Sequence, residues 1–218
     1  AEGRRVAVVS SGDPGVFAMA AAVFEAVDGG EPAWRTLDIR VEPGVTAMLA
    51  AAALAGAALG ADFCAISISD NMKSWSTIER RLEAAARGDF VIALYNPASR
   101  ARPDGLHRAL AHLRQWKGDD TIVLFVRAAG TPNATVSVTH LADAASFAAD
   151  MRTLVLVGSR STRLIERDGL PDLHLPTQDI RAAAPGIRLA GKVVGTDGLL
   201  LVDWQLGDRL LTSGFRAD

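Results

Sequence analysis

The chain has 218 residues, of which 49% are apolar, 22% charged and 6% aromatic: enough to bury a substantial core, and too little charge for a disordered chain. A net charge of -2 gives no general attraction to nucleic acid or to an anionic membrane, so neither partner is expected, and an anionic ligand would have to meet locally placed cations. The one cysteine, Cys64, excludes an intrachain disulfide, and without a Cys/His spacing of zinc type no metal is expected.

Val6-Ala7-Val8-Val9 follows a charged pair and reads as a buried strand. The turn Ser10-Ser11-Gly12-Asp13-Pro14-Gly15 comes next, then an alanine-rich helix from Val16 to Val27. The pattern recurs with a strand over 36–41, a turn at Glu42-Pro43-Gly44 and a helix from Thr46 onward. The apolar run 45–59 contains Gly56 and many small residues, which makes it a poor membrane span, and no signal-peptide pattern precedes it; a cytoplasmic protein is expected. Phe63 to Ile68 reads as a strand, with Cys64 a buried, inert thiol, and Ser74 to Arg87 as a helix with a polar face. Gly88-Asp89 breaks the pattern and sets the expected boundary between a domain 1–88 and a domain 89–218.

The second series has a strand over 90–95, a helix over 107–116 with Leu106, Leu110 and Leu113 on one face, and a strand over 121–126. A turn at Gly130-Thr131-Pro132-Asn133, a short strand over 135–138, a helix over 141–149 and a strand over 153–157 complete it. Strands alternating with helices indicate an α/β fold, whose ligands bind at the carboxyl ends of strands. Beyond Arg167 three prolines interrupt any long helix; strands at 187–189, 192–194 and 199–204, with a hairpin at Thr196-Asp197-Gly198, are expected, and the placement of 168–218 stays open.

Three turns that follow strands are candidates for the chemistry, each open to a purely structural reading. The first, with Asp13, is either a tight turn whose aspartate caps the helix or a loop offering backbone N–H groups and a carboxylate to a ligand. It matches neither GxGxxG nor GxxxxGK[ST], so ordinary dinucleotide or ATP binding is not indicated. The turns at Pro43-Gly44-Val45-Thr46-Ala47 and at Thr131 are also rich in small residues, and Tyr95-Asn96-Pro97 closes a strand with a phenol. Asp70 stands at the carboxyl end of the third strand, where helix capping and proton transfer are both open to it.

SSGDPGVFAMA, EPGVTAMLAAAALAGAALGADFCAISISD, DFVIALYNPASRARP, AGTPNATVSVTHL and VLVGSRSTRLI occur in the order and spacing of the tetrapyrrole methylases, which this chain resembles over about three quarters of its length. ISISDNMKSWSTIERRL followed by ALYNPASRARP is similar to the branch that methylates C-17 of a precorrin and contracts the ring. The resemblance implies two α/β domains with S-adenosylmethionine between them, a cytoplasmic enzyme of cobalamin biosynthesis and a homodimer. It implies cofactor contacts from Asp13, Pro14, Gly15, Val16, Phe17, Thr46, Ala47, Tyr95, Asn96, Thr131, Pro132 and Asn133. Asp70 is the candidate proton-transfer group, with Lys73, Arg100 and Arg102 for the carboxylate arms of the tetrapyrrole. A sibling acting at another ring position and a non-catalytic remnant of the fold are the alternatives. The family's opening strand and GxGPG loop have no counterpart here, so the first domain is expected to be truncated, and the residues after Ile165 depart from the family's usual ending.

Overall fold

The computed structural model describes residues 5–98, 103–165, 173–176, 187–193, 199–206 and 209–216. Five strands build one sheet in the order β1-β2-β5-β3-β4: β1 is Phe63–Ser67, β2 Val91–Tyr95, β3 Ile122–Arg127, β4 Thr135–His140 and β5 Thr153–Val157. β1 and β2 are parallel, with Phe63 opposite Val91 and Ser67 opposite Tyr95. β5 runs antiparallel between β2 and β3, and β4 runs antiparallel outside β3. β1, β2 and β3 therefore point the same way, and their carboxyl ends share one edge of the sheet with the start of β5, where Arg127 lies opposite Thr153.

The sheet is covered on both faces, so its central strands read as unbroken apolar runs. On one side Ile66, Ile92, Leu94, Val123, Phe125, Val155 and Val157 pack with α3 (Trp75–Arg87) and α4 (Gly105–Leu113). On the other, Ala93, Tyr95, Leu124, Val126, Leu154 and Leu156 meet Ala51 and Ala52 of α2 (Ala47–Leu54). Ser74 caps α3 by accepting from the Thr77 N–H at 3.4 Å, and Ile78, Leu82, Ala85 and Ala86 form its buried stripe. Leu106, Leu110 and Leu113 do the same for α4, as their spacing predicts.

At the sheet edge away from the β1 and β2 carboxyl ends, the buried Lys117 ammonium donates to the carbonyls of Gly158 (2.9 Å) and Phe90 (3.1 Å) and lies 3.4 Å from the Asp89 carboxylate. Asp89 has φ 56° and accepts from the Arg160 N–H at 3.0 Å. The break expected at Gly88-Asp89 is thus a tied corner, and it falls between two elements of the same region, α3 and β2.

Three expected elements do not form. Val6–Val9 forms no strand, with Val6 83% and Val9 89% exposed: an apolar run becomes a strand only where a ladder partner is available. Over 36–41 no strand forms either. Pro32 opens a 3-10 turn over Pro32–Thr36, and Arg40 pairs locally with Asp38 at 2.9 Å. The helix expected over 141–149 shrinks to a 3-10 turn, Ala144–Ser146. There the Ser146 hydroxyl donates to the Asp143 carbonyl at 2.7 Å, and Phe147 turns extended to stack on Phe125, ring centroids 5.1 Å apart. The first helix, α1 (Met19–Gly29), begins at Met19 rather than Val16 because Phe17 has φ 52°, outside a right-handed helix.

β6 (Thr162–Ile165) and β7 (Leu173–Pro176) form an antiparallel hairpin that the sequence reading does not anticipate. Residues 1–176 form one compact unit and Thr177–Asp218 a second. The second unit is an antiparallel meander of β8 (Ile187–Val193), β9 (Leu199–Leu206) and β10 (Arg209–Arg216), with Leu189, Trp204 and Leu211 in one cross-strand row. The two segments expected at 187–189 and 192–194 are one strand, and the expected hairpin turn at 196–198 lies outside the described residues.

Candidate functional site

The first small-residue loop is fastened to the second by one carboxylate. Asp13 Oδ1 accepts from the Gly15 N–H at 2.8 Å and Oδ2 from the Gly44 N–H at 3.0 Å. These two amide donors, Gly44 foremost, hold the Asp13 carboxyl below the usual carboxylate range. Asp13 caps no helix: α1 starts after Ala18, and both carboxylate oxygens are spent on the loops. Gly44 is required at this junction, since a Cβ there would overlap the Gly12 carbonyl; Gly12 itself has φ 74°.

The second loop is fastened to the sheet by Tyr95, the last residue of β2. Its hydroxyl lies 2.6 Å from Thr46 Oγ1 and accepts from the Met48 N–H at 3.0 Å. Thr46 occupies the N-cap of α2 without capping through its own side chain, so the phenol supplies the acceptor to the first turn. The Phe17 ring packs against Tyr95 at 5.0 Å between centroids, tilted by 56°, while staying 51% exposed. A bulky residue held at positive φ and left half in water marks a strained position, of the kind that clusters at binding sites. Val16 joins Tyr95 in the core beneath, and Pro14 anchors α1 by accepting from the Ala20 N–H at 2.9 Å. Ala47, first residue of α2, is exposed beside them.

Asn96 follows Tyr95 with φ 56° and donates from Nδ2 to Ser67 Oγ at 2.9 Å, joining the ends of β2 and β1. The third loop leaves β3 at the same edge. Ala128 (φ 55°) and Gly130 (φ 79°) bend it, and Thr131 closes it by donating from Oγ1 to the Ala128 carbonyl at 2.9 Å. Thr131, Pro132 and Asn133 are exposed, and Ala129 packs into the cluster that holds Tyr95, Val16 and Met48. Contacts thus tie Asp13 to Gly15 and, through Gly44, to the loop of Thr46, and join Thr46 and Phe17 to Tyr95, while the sheet brings the Thr131 loop to the same edge.

Asp70 lies on the other side of this edge. It lines a cavity of about 250 Å³ with Ile68, Asn96, Pro97, Trp75 and Arg108 among others. It does not cap α3, whose N-cap is Ser74. Lys73 is half-buried just before that cap; burial, then the nearby Arg81, push its ammonium below the usual lysine range. Arg100 and Arg102 lie outside the described residues. Sequence reading missed Ser67, which orients Asn96, and the pair Trp75 and Arg108. No short motif signals either, because each depends on a partner about thirty positions away that only the parallel pairing or helix packing supplies. Cys64 packs against the core, and burial raises its thiol pKa, which suits an inert group.

Among the described residues no helix is long and apolar enough to cross a membrane. Residues 1–145 match the family model described as Tetrapyrrole (Corrin/Porphyrin) Methylases, and residues 152–218 match a model described as Bacterial PH domain-like. The chain is 55% identical over 173 residues to a precorrin-3B C(17)-methyltransferase of Sinorhizobium, covering 79% of this chain and 68% of that one. It is 42% identical over 168 residues to a probable cobalt-factor III C(17)-methyltransferase of Salmonella typhimurium, covering 77% and 68%. The crystal structure of the methyltransferase CobJ superposes with a TM-score of 0.73 at 55% identity, over 76% of this chain and 69% of that one. By the family model and by these identities, the chain belongs to the tetrapyrrole methylases.

Proposed function

We propose that the chain methylates C-17 of precorrin-3B, with contraction of the macrocycle to precorrin-4, as a step of cobalamin biosynthesis. The carrying observation is the union of the Asp13 and Thr46 loops on Tyr95 at the carboxyl edge of the sheet, in a chain 55% identical to a precorrin-3B C(17)-methyltransferase.

The donor we propose is S-adenosylmethionine, and the loops suit it. Phe17 and Val45 expose apolar surface beside buried Tyr95, as an adenine ring needs, and a Cβ at Gly130 would meet open space, leaving room at the third loop. Bound there, the cofactor supplies an electrophilic methyl group on sulfonium sulfur. Asp13 acts by holding the first two loops in register, since both its oxygens are occupied by amides. Phe17 and Val16 offer apolar contact, and Pro14, Gly15, Thr46 and Ala47 offer backbone at close range. Tyr95 and Asn96 fix the floor, and Thr131, Pro132 and Asn133 border it from the third loop. Such fixed alignment of a methyl carbon against a ring carbon supplies up to about 7–11 kcal/mol in ideal cases.

Asp70 we assign to proton movement during ring contraction, from its place on the cavity wall. Lys73, Arg100 and Arg102 we assign to the acidic arms of the substrate. The enzyme acts as a homodimer in the cytoplasm on this reading.

Incubation with precorrin-3B and methyl-labelled S-adenosylmethionine, with mass analysis of the product, tests the assignment. A gain of one methyl group with ring contraction is expected. A chain that binds S-adenosylhomocysteine yet adds no methyl group refutes it.

A further inference from the structure

The cavity beside Asp70 contains a cation that the assignments above leave unused. Arg108, in the first turn of α4, lays its guanidinium over the indole of Trp75, 4.1 Å from the ring centroid. Trp75 is itself fixed, because its Nε1–H donates to Glu79 Oε1 at 2.7 Å. Arg108 Nη2 stands 4.0 Å from the same Glu79 oxygen, beyond hydrogen-bond range, and its side chain is 56% exposed. Among the described residues, then, the guanidinium is oriented by stacking and keeps its donors for something else.

The surroundings say what that is. The cavity spans about 250 Å³, too small for a macrocycle and of a size for one acidic arm. The first turn of α4, Gly105 included, borders it and favours negative charge. Asp70 and Asp104 also line it, so an incoming anion needs a strong and directional partner, which a pre-set guanidinium supplies and a lone lysine does not. Asn96 and Pro97 place the cavity one residue from Tyr95, at the edge where the cofactor loops meet.

We infer that Arg108, held on Trp75, is a specificity-determining residue that takes one carboxylate arm of the tetrapyrrole. The inference rests on the methyltransferase reading for the identity of the ligand, and on the cavity for the site.

Quenching of tryptophan emission by uroporphyrin III, a tetrapyrrole bearing acetate and propionate arms, reads the subsite without turnover, using the full chain. Arg108→Met keeps the length of the side chain and removes the charge. Its affinity for the porphyrin should fall about tenfold, with S-adenosylhomocysteine binding and the thermal transition unchanged. Arg108→Lys should recover part of the loss. Glu79→Gln, which keeps the acceptor for Trp75 and removes a competing charge, should tighten porphyrin binding about twofold. Equal porphyrin affinity in wild type and Arg108→Met, or no porphyrin binding by a wild type that binds S-adenosylhomocysteine, overturns the inference. Arg108-dependent porphyrin binding without methyl transfer to precorrin-3B would instead overturn the assigned reaction and leave the subsite standing.

Discussion

The hydroxyls of Tyr95 and Thr46 lie 2.6 Å apart although 49 positions separate them in the chain, and both residues are buried. One bond joins the end of β2 to the start of α2, and through Thr46 to the loop that Asp13 secures.

Tyr95→Phe removes the acceptor for the Met48 N–H and the partner of Thr46 Oγ1, leaving two polar groups unpaired in or near the core. A stability loss of about 1–3 kcal/mol is expected by denaturant titration. Calorimetry should also find weaker binding of S-adenosylhomocysteine, since the α2 start is no longer fixed to the sheet.

Gly44→Ala places a methyl group against the Gly12 carbonyl, so one of the two loop backbones must shift. The Asp13 bridge to the Gly44 N–H then lengthens. Cofactor affinity should fall by about tenfold or more, with a smaller fall in the thermal midpoint, because the contact lies at the exposed edge and not in the core. An unchanged affinity would show that the two loops do not act together.

Asp13 gives a pH signature. Its folded pKa is depressed below 3.8, so the unfolded chain binds the proton more readily. The carboxylate therefore stabilises the fold at pH values above 3.8, and that contribution is lost as pH falls through the folded pKa. Asp13→Asn keeps one acceptor oxygen and loses the other. The stability gap between wild type and Asp13→Asn should be constant near neutrality and close as the solution is acidified from about pH 5 toward 2. A gap that does not vary with pH would remove the carboxylate from this role.

Lys117→Met leaves the carbonyls of Phe90 and Gly158 without their donor, at an expected cost of about 1–3 kcal/mol. Burial holds the Lys117 pKa below 10.5, its usual value. Between the folded and unfolded pKa values the unfolded chain binds more protons, so the burden of burying the charge is relieved as pH rises. The stability of wild type relative to Lys117→Met should increase through the alkaline range up to about pH 10.5.

Much of this was legible in the sequence where the signal is local. The Ile78, Leu82, Ala85 stripe and the Leu106, Leu110, Leu113 stripe define α3 and α4 by spacing alone, and Ser74 marks its own helix start. The buried runs of β2, β3 and β5 are equally plain. What failed depends on partners: Val6–Val9 has the composition of a strand and no ladder, and Phe147 leaves its expected helix for Phe125. In the site, the small-residue turns drew attention to the loops, but nothing in them shows the use of Asp13 as a tie between two of them. That use requires Gly44, 31 positions away, to present its N–H to the same carboxylate. Trp75 and Arg108 sit on different helices, and nothing in their neighbours announces the stacking.

The position of β5 has a consequence for biosynthesis. β2 and β3 never touch as ladders; each pairs with β5, which lies between them and is the last of the five to be translated. A nascent chain carrying everything through β4 therefore holds two separate half-sheets with raw inner edges, open to wrong pairing. Ribosomal synthesis at about 5–20 residues per second leaves that gap unfilled until 153–157 have cleared the exit tunnel. Stalling just upstream of those codons should leave a protease-sensitive, chaperone-bound species, and release past them should let the sheet close as one unit.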